Sequence, residues 1–131
     1  MKRIVLLALT VMLLASCSLS RKNPLDPEGH DVNVPGKVND IAVSVTGNNT
    51  VYISWEVRPE VHGYYIYRSQ SYDGDYPQIM EIEGSDIGNY EDINVEISSV
   101  NNQNFYFYKL SAYRLVDGEK LEGYRSEAYS W

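Results

Sequence analysis

The sequence predicts an all-β protein, an antiparallel sandwich of about seven strands, and three observations carry that prediction. From Lys37 onward apolar side chains recur at every second position, as a half-buried strand requires. Valine, isoleucine and tyrosine dominate these runs, tyrosine alone supplying 12 of the 131 residues, which suits pleated, half-covered surfaces. Turn residues interrupt the runs at short intervals, at Gly47-Asn48-Asn49, Asp73-Gly74, Glu83-Gly84, Asp117-Gly118 and Glu122-Gly123, and no window after residue 37 holds a helical stripe.

The elements follow in order. Ile41, Val43 and Val45 alternate along the first strand, and Val51, Ile53 and Trp55 along the second. Residues 63–68, Gly-Tyr-Tyr-Ile-Tyr-Arg, form a third run rich in aromatic and β-branched side chains. Shorter candidates occupy residues 78–82 and the surroundings of Tyr90. Residues 104–113 give a long aromatic run, and residues 126–131 the last strand. Six or seven short strands within about 95 residues match a small two-sheet sandwich.

Ahead of this domain stand two segments of different character. Lys2 and Arg3 precede an uncharged apolar stretch, residues 4–14, which ends on Leu14-Ala15-Ser16-Cys17. A charged start, a short apolar middle and small closing residues are the pattern of an export signal; a membrane-spanning helix would need about 20 apolar residues. Residues 18–36 contain three prolines, two glycines and no aromatic residue, too little apolar surface to offset the entropy of ordering, and they read as an extended tether. The expected organisation is a leader over residues 1–16, Cys17 and a flexible tether over residues 17–36, and a folded domain over residues 37–131.

Leu14-Ala15-Ser16-Cys17 resembles the lipobox of bacterial lipoproteins. The resemblance implies that Cys17, the sole cysteine of the chain, becomes the diacylated first residue and holds the protein to a membrane. Ser18 in the following position implies the outer membrane if the host is Gram-negative. Asn23-Pro24-Leu25-Asp26-Pro27 is similar to a stretch common after the lipid cysteine of surface lipoproteins.

The domain itself resembles the immunoglobulin-like fibronectin type III family in its bacterial extracellular form, over roughly residues 35–131. Pro35 followed by Ile41 is similar to its opening strand, Trp55 to its strand B core tryptophan, and residues 63–69 to its strand C. Tyr90-Glu91-Asp92 resembles the Tyr-x-Asp of strand E. Tyr106-Phe107-Tyr108-Lys109-Leu110-Ser111-Ala112 resembles strand F, which implies that Tyr106 is the tyrosine-corner residue, its hydroxyl bonded back to the preceding loop. Ser126 would open strand G. The stretch from Asp92 to Asn104 is longer than the family pattern.

Strict alternation assigns faces. With Tyr64, Ile66, Tyr106, Tyr108, Leu110 and Ala112 inward, Tyr65, Tyr67, Phe105, Phe107, Lys109 and Tyr113 point outward; with Ser126, Ala128 and Ser130 inward, so do Tyr129 and Trp131. Strands C, F and G share a sheet in the family, so its outer face is expected to carry Tyr65, Tyr67, Phe107, Tyr113 and Tyr129. Two readings of this patch stay open: cross-strand aromatic pairing that stabilises the sheet, at roughly 0.2–1 kcal/mol per pair, or a contact surface for a protein or a sugar ring.

Charge and motif content narrow the function. Residues 1–16 hold two of the 11 basic side chains and none of the 18 acidic ones, which leaves 9 basic against 18 acidic, a net charge of −9. That balance argues against nucleic acid, whose binding needs a basic stripe. His30 and His62 stand alone, without a neighbour at metal-ligand spacing, and no nucleophile-elbow, zinc-protease or phosphate-loop motif occurs. Asp73-Gly74-Asp75 lacks the remainder of a calcium loop. The expectation is a non-enzymatic protein without cofactor or metal: an envelope lipoprotein acting as a protein-interaction or spacer module, with the membrane engaged through Cys17 and a protein partner. The alternatives are a structural subunit of an envelope complex and a carbohydrate-binding accessory of a surface glycan-degrading system.

Overall fold

The structure, a computed structural model, describes residues 33–47, 49–97 and 105–131. The leader, Cys17 and the tether as far as residue 32 lie outside the described residues. Alternating apolar positions and frequent turns produce seven strands: β1 (Ala42–Val45), β2 (Val51–Ser54), β3 (Gly63–Ser69), β4 (Gln78–Glu83), β5 (Asn89–Asp92), β6 (Phe107–Val116) and β7 (Glu119–Glu122). They form a three-stranded sheet ordered β1-β2-β5 and a four-stranded sheet ordered β4-β3-β6-β7, with every pairing antiparallel.

The inner faces hold the residues that the period of two assigns to them. Val51, Ile53 and Trp55 from the first sheet meet Tyr64, Ile66, Tyr108, Leu110 and Ala112 from the second, all buried in one cluster that also takes in Val38, Ile41, Ile82 and Tyr106. Burying side chains of this size stabilises the fold by roughly 1.5–3 kcal/mol each. Tyr106 makes the tyrosine corner: its buried hydroxyl accepts the Glu96 N–H at 3.0 Å, ten residues upstream.

Three expectations need correction. The folded unit begins at Asn33 rather than at residue 37: Pro35 is buried and its carbonyl accepts the Tyr124 N–H at 3.2 Å, so the end of the proline-rich segment is part of the domain. The last strand begins at Glu119, ahead of Ser126. Asp117 and Gly118 adopt φ of 52° and 84°, the two-residue turn that Asp-Gly favours, and pairing of β7 with β6 starts at once.

The third correction concerns Tyr129. Residues 123–131 continue along β6, with Gly123 N–H to Ala112 O at 2.8 Å and Ser126 N–H to Leu110 O at 2.7 Å. The stretch from Glu122 to Tyr129 is two residues longer than the part of β6 it faces, and Ser126 helps absorb the excess, its Oγ accepting the Leu110 N–H at 3.0 Å. The excess enters in two one-residue steps, one on each side of Ser126, so alternation counted from Ser126 is reversed before Tyr129. Tyr129 pairs with the inward-facing Tyr108, and directly opposed residues share a face. Tyr129 and Trp131 therefore pack against the core and not on the outer side.

Candidate functional site

The outer face of the four-stranded sheet unites Tyr65, Tyr67 and Tyr113. Tyr65 stacks on Tyr113 with ring centroids 4.9 Å apart and meets Tyr67 edge-on at 6.5 Å. Phe107 lies further along β6, against Tyr72 of the β3–β4 turn at 5.8 Å. Long cationic side chains cover these rings. Arg125 lies over Tyr67 at 3.8 Å, Lys120 over Tyr113 at 5.3 Å and Lys109 over Tyr76 at 4.4 Å, while Lys120 also pairs with Glu81. Only 3 % of Tyr67 and 2 % of Tyr113 remain exposed. The face expected to be wet is thus a second, thinner packed layer.

One carboxylate organises this layer. Glu122 Oε1 accepts Tyr67 Oη–H at 2.5 Å, Ser111 Oγ–H at 2.7 Å and Arg125 Nε–H at 3.3 Å. Partial burial alone would raise the Glu122 carboxyl, but these hydrogen bonds and the Arg125 charge outweigh it and hold the group below its ordinary value of 4.5. A carboxyl depressed in the folded state contributes stability above its unfolded value, and that contribution fades as the pH falls through the folded one. Melting temperature recorded between about pH 6 and pH 3 is expected to fall less steeply in Glu122→Gln than in the native chain; superimposable curves would remove Glu122 from the acid limb.

Across the interior, charge joins the two sheets. Alternation from Tyr64 and Ile66 places Arg68 at the inner end of β3, beside its cross-strand partner Tyr108. Asp92, on the inner end of β5, is 1 % exposed. Its carboxylate accepts two bonds from Arg68 Nη1, at 2.8 and 3.1 Å, one from Tyr108 Oη–H at 2.9 Å and one from the Asn94 N–H at 3.1 Å. Burial, with the Asp92 charge next to it, pushes the Tyr108 phenol far above its usual range, so the phenol stays a donor. Alternation from Tyr64 and Ile66 extends to Arg68, but nothing in the sequence assigned Asp92 a facing or revealed that the two meet.

Beside this clasp, at the same pole, opens a cleft of about 380 Å³ whose walls include Arg68, Gln70, Asp75, Pro77, Ile79 and Tyr106. Its rim turn is internally bonded: Ser71 N–H to Ser69 Oγ at 3.2 Å, Gly74 N–H to Ser71 O at 3.1 Å and Tyr76 Oη–H to Tyr72 O at 2.8 Å. Arg68 stands over the Tyr106 ring at 5.4 Å. Sequence reading missed this cleft, because Asp75 and Arg68 are brought together by the return of β4 along β3. Among the described residues no group of three His, Cys, Asp or Glu side chains could hold a metal ion. His62 is occupied with the backbone, its Nδ1 accepting the Leu115 N–H at 3.2 Å.

The fold is that of a single fibronectin type III-like domain. The chain is similar to a Fn3-like protein from Clostridium thermocellum, at a TM-score of 0.58 and 23 % identity over 75 % of this chain and 92 % of that one. It is similar to the human contactin 1 fn3 domain, at 0.57 and 15 % over 76 % and 78 % of the two chains. Chicken CNTN1 FN1-FN3 domains give 0.56 and 16 % over 76 % of this chain and 32 % of that one. At these identities the likeness concerns the fold. No family model matches the sequence, and no curated protein matches it.

Proposed function

We propose that this chain is a lipid-anchored, non-catalytic interaction or spacer module of a bacterial cell envelope. The observation that carries the reading is the order of segments: an export-type leader that closes on Leu14-Ala15-Ser16-Cys17, a proline-rich tether, and one small β-sandwich. Burying acyl chains gives about 0.8 kcal/mol per CH₂, so two chains on a single cysteine hold a domain of this size at a lipid surface. The acidic balance of the remainder keeps such a domain away from anionic headgroups.

Fractionation of cells expressing the full chain tests the anchor. Cys17→Ala is expected to move the protein from the membrane fraction to the soluble fraction, and mass spectrometry of the native protein should find a diacylated Cys17 as its first residue. An unmodified Cys17 in membrane-associated protein would overturn the reading. Of the alternatives, the carbohydrate-binding accessory is favoured by one feature, the polar cleft beside Arg68.

A further inference from the structure

The cleft is not needed to complete the sandwich, and its polar groups are left half-served. Arg68 commits Nη1 to Asp92 and to the Asn94 carbonyl, whereas among the described residues its Nε–H and Nη2–H groups have no acceptor. Asp75 makes no hydrogen bond or ion pair among the described residues. Gln70 directs its amide nitrogen to Tyr106 Oη at a long 3.4 Å, which leaves its carbonyl oxygen open. The lining thus offers donors from Arg68 and acceptors from Asp75 and Gln70, with apolar surface from Pro77 and Ile79. The volume falls within the range of small-ligand pockets, roughly 300–1,000 Å³.

We propose that this cleft binds a neutral sugar unit, through vicinal hydroxyls that accept from Arg68 and donate to Asp75 and the Gln70 carbonyl. Charge excludes the simpler ligands. Asp92 already balances Arg68, so an anion would gain little there and would face Asp75. A cation would satisfy Asp75 but could make no use of the Arg68 donors. A hydroxyl both donates and accepts, and a pair of adjacent hydroxyls matches the fixed fork of a guanidinium edge. Peptide main chains are read mostly by strand edges, while the polar groups here are side chains. Arg68 is pre-positioned by its two bonds to Asp92, and the bonded rim turn holds Asp75, so ordering costs on binding are small.

The folded unit starts at Asn33, whose carbonyl accepts from Arg114 Nη1 at 3.2 Å. Arg114 lies near the end of β6 remote from Tyr106, roughly 25 Å away at the rise of a strand, so the cleft and the first residue of the folded unit occupy opposite poles of the sandwich. The sugar site does not depend on the anchoring proposed above.

Calorimetric titration of the detergent-solubilised full chain with glucose, galactose, mannose, N-acetylglucosamine and cellobiose tests the site. Saturable binding of at least one sugar is expected, weakened about tenfold in Asp75→Asn and in Gln70→Ala, and unchanged in Tyr65→Ser on the outer sheet face. Both cleft variants alter exposed side chains and should keep the native melting temperature. Absence of binding by every sugar, or binding that ignores Asp75→Asn, overturns the proposal. A Cys17 without lipid would refute the anchor while leaving this result untouched.

Discussion

Asp92→Ala is expected to lower the unfolding free energy by about 3 kcal/mol, the low end of what removal of one partner from a buried ion pair costs. Two features set that value. Tyr108, fully buried, loses the acceptor of its hydroxyl, and an unpaired buried hydroxyl costs roughly 1–3 kcal/mol. Arg68 keeps about a quarter of its side chain in solvent and retains the Asn94 carbonyl, so its charge is not stranded. Urea unfolding of the native chain, Asp92→Ala, Tyr108→Phe and the double variant would separate the parts. The Tyr108→Phe change should cost about 1 kcal/mol alone and clearly less when Asp92 is already absent. A loss below about 1 kcal/mol for Asp92→Ala would mean that the two sheets hold together without this clasp.

The contrast between what the sequence discloses and what it hides follows from range. A period of two is a local property, and it assigned Val51, Ile53, Tyr64, Ile66, Tyr108, Leu110 and Ala112 to the interior, where they are buried. The loop bond of Tyr106 was implied by the resemblance to strand F and not by alternation, and its partner, the Glu96 N–H ten residues upstream, emerges only from the structure. Facing alone does not determine burial. Tyr67 and Tyr113 do point outward, but Arg125 and Lys120 arrive over them from 58 and 7 positions along the chain, and long aliphatic stems carrying a charge cover rings well. Alternation also fails silently at a bulge, as Tyr129 shows, since a local pattern carries no record of the register opposite. The cleft is the extreme case. Asp75 sits in a turn that composition explains completely, and its relation to Arg68 exists only after β4 has folded back on β3.

Gly63→Ala is expected to destabilise the domain by about 3 kcal/mol, although alanine in a strand is ordinarily favoured over glycine by roughly 0.5–1 kcal/mol. The sign reverses because Tyr113, the cross-strand neighbour of Gly63 on β6, lays its ring on the bare backbone. A Cβ at Gly63 would stand 2.5 Å from Tyr113 Oη and 2.6 Å from its Cε1, and closer still to the Ile82 carbonyl oxygen. The ring has little room to yield, stacked as it is on Tyr65 beneath Lys120, and the carbonyl belongs to β4, which the Gly84 N–H to His62 O bond at 2.9 Å ties to β3. Relief therefore requires separation of two paired strands. In the double variant Gly63→Ala/Tyr113→Ser the ring contribution should disappear and the Ile82 contribution persist, so that the two changes are not additive in urea unfolding. A Gly63→Ala protein as stable as the native one would show that the aromatic layer on this face is loose enough to part, and would return Tyr65 and Tyr113 to consideration as a surface that a partner could open.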